Sequence, residues 1–352
     1  MKIMLNSMNW LTGTKLSWQP VMTADTAVPV YWLNWRVLLC GIWISFAMVI
    51  ASYLIWKYEG SNSSRPDRVR VETQQGDSGA LYEDEGWRPC LKDLHPAWLM
   101  AFRAIGFVVL LALLVANVVV DGGGIFYFYT QWTFTLVTIY FGLGSVLSVN
   151  GCYEYRNRVG GDHVELDAER GNYVAPRHAE NVSGSNTMKS SVLHEHHSDR
   201  KPAGILVYAF QIIFQMSAGA VMLTDAVFWF IIVPFLTIKD YKLNFLLVSM
   251  HSINAVFLLA DAALNSLQFP WFRFAYFILW TAIYVIFQWV IHACISLWWP
   301  YPFLDLSSSY APLWYLAVGL MHIPCYGVFV LILRMKHFLW SKWFPESYHI
   351  EK

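Results

Sequence analysis

The chain has 352 residues, 57% apolar, 17% aromatic and only 14% charged, with a formal net charge of zero. A soluble domain is close to half apolar and a quarter charged, so this balance predicts a polytopic membrane protein. Without a basic excess there is no electrostatic footprint for nucleic acid, and that partner is excluded.

Residues 1–34 are mildly polar and lack a basic start followed by an apolar run and a cleavage site. No removable signal peptide is expected, and the first span is assigned the targeting role. That span is 35–57, with Trp35 and Trp56 as interfacial anchors. A hydrophilic loop of mixed charge follows, 58–96, expected to be irregular. The second span is Ala97 to Val120, where Arg103 is expected to snorkel back to the headgroups. Asp121-Gly122-Gly123-Gly124 is a tight turn, and the third span, Ile125 to Val149, follows at once. Spans two and three therefore predict an antiparallel hairpin.

The loop 150–202 is rich in Ser, Asn and His and is expected to be disordered. Its His194-Glu195-His196-His197 tract is read as solvated polar chain, since nothing fixes a ligand geometry there. Ala203 to Phe235 is too long for one upright span and too short for two, so one long tilted or bent helix ending at Pro234 is predicted, with Asp225 inside it. The fifth span, Leu243 to Leu264, carries Asn244, His251, Asn254 and Asp261 on one helical face, with Asn265 just beyond. Polar side chains in hydrocarbon must face protein or water, so this stripe predicts a cavity walled by the other spans. Trp271 to Leu297 is the sixth span, with Gln288 and His292. An aromatic, proline-punctuated loop, Trp298 to Pro312, leads to the seventh span, Leu313 to Leu333. His322 precedes a kink-prone Pro324 there, and the basic tail 336–352 is expected on the membrane surface. The fold class is thus an all-α membrane bundle of about seven helices, with residues 97–335 as a six-helix core.

Of the 24 Lys and Arg residues, only Lys2, Lys15, Arg36, Lys239 and Lys242 fall on the side opposite the two long loops. The positive-inside rule then places the N-terminus outside or in the lumen and the C-terminus in the cytosol. Thr130, His251 and His292 come to similar depths near the lumenal side. Five cysteines with no CxxC among them predict neither a disulfide framework nor a zinc site. No HxxxH pair links His251, His292 and His322 on these spans, so neither a metal set nor another cofactor is expected.

A Thr hydroxyl is a poor nucleophile without an adjacent base, for which His is the usual choice. Three segments make Thr130 and His251 the pair to consider. Phe128 to Gly142 (FYTQWTFTLVTIYFG), Ser249 to Asp261 (SMHSINAVFLLAD) and Gln288 to Asp305 (QWVIHACISLWWPYPFLD) resemble, in order, three blocks of the family of the androgen-induced gene one protein and the androgen-dependent TFPI-regulating protein. The resemblance covers spans two to seven. Rolling stone proteins of animal myoblasts and long-looped plant proteins share the pattern. It implies a membrane-embedded hydrolase of fatty acid esters of hydroxy fatty acids, with Thr130 as nucleophile, His251 as its partner, and membrane lipid esters as substrate. The extra first span and the long loop depart from the smaller members. Asn254 and His292 are candidates for steadying the oxyanion, and Asp261 lies too far along its helix to orient the imidazole. A non-enzymatic structural or adhesion protein of the rolling stone type is the main alternative. A transporter lacks support because no internal repeat is seen, and a receptor would share only the number of spans.

Overall fold

A computed structural model describes residues 22–60, 82–169, 202–234 and 245–348, with side chains up to 157 in the third helix. Asn244, the tract 194–197 and the glycosylation signals at Asn62 and Asn181 lie outside these residues. Seven described helical segments are long and apolar enough to cross a membrane, so the protein is an all-α, multi-pass bundle.

The helices are α1 (Trp35–Ile55), α2 (Pro96–Asp121), α3 (Tyr129–Glu169), α4 (Ile205–Val227), α5 (Phe245–Met250), α6 (Ile253–Leu264), α7 (Phe274–Cys294) and α8 (Ala311–Trp343). Asn34 caps α1, its side chain accepting from the Arg36 and Val37 amides. Pro96 begins α2, where a missing N–H costs nothing. Gly122, at φ 76°, ends that helix and turns the chain toward α3. The two then pack as the expected hairpin. A Cβ on Gly106 would stand 2.8 Å from the Phe141 ring, and one on Gly142 3.0 Å from Phe107, so the glycines set the close approach.

Three elements differ from the sequence expectation. The third helix runs to Glu169 instead of giving way to loop at residue 150, because helical hydrogen bonding continues past the apolar stretch. The seventh span runs to Trp343, and Lys336 is buried, its ammonium donating to the Asn265 carbonyl at 2.6 Å. The fifth span is two helices, α5 and α6, broken at His251 and Ser252.

The loop before α2 is structured where it meets the bundle. Residues Glu83–Gly86 form a short 3-10 turn. Trp87 fills the space beside Gly151, where a Cβ would lie 2.0 Å from the indole. The Cys90 amide donates to the Leu264 carbonyl at 2.8 Å, and that of Lys92 to Ser347.

This segment covers a buried polar knot at the end of the bundle where α2 begins. Arg103 is fully buried and does not snorkel. Its Nε donates to Asp261 Oδ1 at 2.8 Å, and its Nη1 to the Gly86 carbonyl at 2.7 Å and Ser148 Oγ at 2.9 Å. Tyr140 and Asn265 also donate to Asp261. With these acceptors around it, the guanidinium is satisfied inside the bundle without reaching the headgroups.

The first helix is tied to the rest at both ends. At one end Glu59 accepts from Arg273 at 2.8 Å and from Tyr276. At the other, Arg36 donates to the Ser307 carbonyl at 2.9 Å, while Thr23 and Tyr31 donate to Asp305.

Candidate functional site

His251 is held by one face of α4. That helix ends its α-helical hydrogen bonding at Val227 and continues as a π-turn over Phe228–Ile232. Asp225, Phe228 and Trp229, at spacings of three and four residues, come onto the face turned to His251. Asp225 Oδ1 lies 3.7 Å from His251 Nδ1. The Phe228 ring stacks on the imidazole with centroids 3.7 Å apart and planes 1° from parallel. Trp229 Nε1 donates to the His251 carbonyl at 2.9 Å.

The break between α5 and α6 belongs to the same arrangement. His251 N bonds the Val248 carbonyl at 3.2 Å and Ser252 N that of Ser249 at 3.4 Å, so the turn there is tighter than α-helix. No Gly or Pro causes it. The distortion therefore comes from tertiary contact, and non-helical backbone at membrane depth occurs where it is buried in protein or lines a cavity.

Asp225 Oδ1 and His251 Nδ1 are buried and make no hydrogen bond among the described residues. Gln131 Oε1, Thr135 Oγ1 and Asn254 Nδ2 are buried and unpartnered as well. Gln131 and Thr135 stand one turn apart on α3. Leaving such atoms unsatisfied costs about 1–3 kcal/mol each. Others lie elsewhere in the bundle, at Ser217, Trp280 and Gln288, and what sets this region apart is that two of them, on Asp225 and His251, face one another.

Thr130 sits in the first turn of α3, 7% exposed. Its Oγ1 is 3.4 Å from the Tyr301 hydroxyl, and among the described residues no hydrogen bond joins it to His251. Their supporting helices do meet nearby. Thr133 Oγ1, one turn from Thr130, lies 3.2 Å from Thr224 Oγ1, and Thr224 adjoins Asp225. Asn254 is fully buried, its Oδ1 facing the Ala255 amide. His292 is occupied elsewhere. Its Nδ1 is 2.7 Å from the Gln288 carbonyl and its Nε2 3.3 Å from that of Trp298, and Trp299 stacks on it at 3.8 Å.

A different Thr–His pair is in direct contact. His322 Nδ1 lies 2.8 Å from the Val318 carbonyl, one turn back on its own helix. That nitrogen carries the proton, which makes Nε2 an acceptor. Thr281 Oγ1, 2.9 Å from Nε2, is then the donor, and it accepts in turn from the Tyr129 hydroxyl at 2.8 Å. Sequence reasoning passed over Thr281 and Tyr301 because each meets its partner only through long-range packing. Asp225 carried a visible signal, a lone acid in an apolar run, with Phe and Trp three and four residues on.

Among the described residues no group of three His, Cys, Asp or Glu side chains is placed to hold a metal ion. Comparison with protein-family models, with curated proteins and with solved structures gives no match.

Proposed function

We propose that the protein is an intramembrane hydrolase of lipid esters, acting on fatty acid esters of hydroxy fatty acids or chemically similar acyl esters. The observation that carries this reading is His251. It is a buried imidazole whose Nδ1 has no hydrogen-bond partner among the described residues, gripped by α4, which meets the helix of Thr130 at the Thr133–Thr224 contact. An ionisable group kept unsatisfied inside a membrane bundle marks a working site more than a structural one. The sequence resemblance of the Thr130, His251 and Gln288–Asp305 segments supplies the chemistry.

In this reading Thr130 turns from Tyr301 toward His251. Its oxygen attacks the ester carbonyl while its proton passes to the imidazole. Collapse of the tetrahedral intermediate breaks the ester C–O bond, and the leaving alcohol takes that proton. Water then attacks the acyl-threonine, with His251 again accepting the proton, and the fatty acid departs as Thr130 is reprotonated. Asn254, with its Nδ2 unpartnered, is the better-placed donor for the oxyanion, because both His292 nitrogens face backbone carbonyls. The charge bias of the loops supports an exterior or lumenal N-terminus and a cytosolic C-terminus, with this site in the lumenal half.

The test is labelling of the purified protein with a fluorophosphonate, followed by peptide mapping. An adduct on Thr130, lost in Thr130→Ala and in His251→Ala, is expected. An adduct on Thr281 would move the nucleophile to the Thr281–His322 pair. Absence of both adduct and ester hydrolysis would leave the non-enzymatic, rolling stone-like reading, which the Thr130–Tyr301 contact favours.

A further inference from the structure

We infer that Asp225 is the positioning carboxylate for His251, a role that rests on the hydrolase reading above. A catalytic imidazole needs a third group on the nitrogen that does not face the nucleophile. That group fixes the tautomer and steadies the cation formed when the base takes a proton. Asp225 meets the geometric requirement from a different helix. Its Oδ1 faces Nδ1 at 3.7 Å, both atoms are buried, and neither has a hydrogen-bond partner among the described residues. The separation is about 0.8 Å longer than a made N–H···O bond. Such contacts are often long in an empty site and tighten once substrate binds.

The surroundings leave Nδ1 little freedom to turn elsewhere. Phe228 covers one face of the ring, and the Trp229 bond to the His251 carbonyl fixes the main chain beneath it. Since all three contacts come from α4, movement of that helix carries the carboxylate and the stacking ring together. With Nδ1–H directed at Asp225, the lone pair is on Nε2, and this nitrogen takes the proton from Thr130. The other acid of the polar stripe cannot serve. Asp261 is ten residues further along and is already paired with Arg103.

The experiment measures hydrolysis of p-nitrophenyl octanoate in mixed micelles by the full-length protein, with rates normalised to the monodisperse folded peak. Asp225→Asn keeps the shape and removes the charge. Its kcat is expected to fall about 100-fold or more, within the range of general-base contributions, with KM unchanged. Asp225→Glu should recover part of the loss, since a carboxylate is restored. Normal kcat in Asp225→Asn beside an inactive His251→Ala would overturn the inference and leave the hydrolase reading standing. So would a loss of folded protein with no loss of kcat per folded molecule. Hydrolysis at the wild-type rate by His251→Ala, or no hydrolysis by the wild type, would overturn both.

Discussion

Replacing Asp261 by Ala should cost more stability than any other single truncation in the bundle. Asp261 accepts from Arg103 Nε at 2.8 Å, from Arg103 Nη2 at 3.4 Å, from Asn265 at 2.9 Å, and from Tyr140. Both charged side chains are fully buried. Counting each charge-assisted bond separately at about 1.5–3 kcal/mol would overstate the loss, because bonds to one carboxylate are not additive. The better guide is the cost of stranding one member of a buried ion pair, about 3–5 kcal/mol. The guanidinium would keep the Gly86 carbonyl and Ser148 as acceptors, which favours the lower half of that range. At about 1.4 °C per kcal/mol for a chain of 352 residues, the apparent midpoint should drop by roughly 4–6 °C. Heating in mild detergent followed by size-exclusion chromatography measures it. The double variant Arg103→Met, Asp261→Leu should recover much of the loss, since no unpaired charge remains. If Asp261→Ala melts within a degree of wild type, the pair is not the keystone of that end of the bundle and the reasoning fails.

Three other outcomes follow from particular contacts. Gly219→Ala should lower the melting midpoint by the equivalent of about 1–3 kcal/mol, because its Cβ would lie 2.4 Å from Phe277 Cδ1, whereas Gly319→Ala, with nothing within 4 Å, should not lower it. Burial pushes the Cys90 thiol above its ordinary range, and the Lys336 charge only partly offsets this. Less thiolate is then present at pH 8, so Cys90 should react with a water-soluble maleimide many-fold more slowly in the folded protein than after denaturation, as read by mass spectrometry. With both long loops cytosolic, Asn62 and Asn181 should remain unglycosylated in cells, and an endoglycosidase-sensitive gel shift lost in Asn181→Gln would invert the proposed orientation.

The seven spans were legible because a run of about 20 apolar residues has few other fates. Their ends were less so, since α3 and α8 keep their hydrogen bonds well beyond the continuous apolar stretch. The turn at Gly122 could be read from residue chemistry alone. The break at His251 could not, because Ser249-Met250-His251-Ser252 contains no helix breaker and the distortion arises from packing against α4. Arg103 was misplaced for a related reason. A lone arginine near a helix end looks like a snorkelling residue until its counter-charge, 158 positions away, is known to lie beside it.

Arg103 is compensated by Asp261, Arg273 by Glu59, and Lys336 by the Asn265 carbonyl. Each pairing joins separate segments and satisfies the buried groups, as expected of charges kept for cohesion. Asp225 and His251 do not follow that pattern, since they face one another with the nearest atoms unbonded. They share their region with the unpartnered amide of Asn254, while the polar side chains that bind the helices together are bonded in full around Asp261. On the proposed reading, that contrast separates groups held for chemistry, Asp225 and His251, from a pair held for cohesion, Arg103 and Asp261.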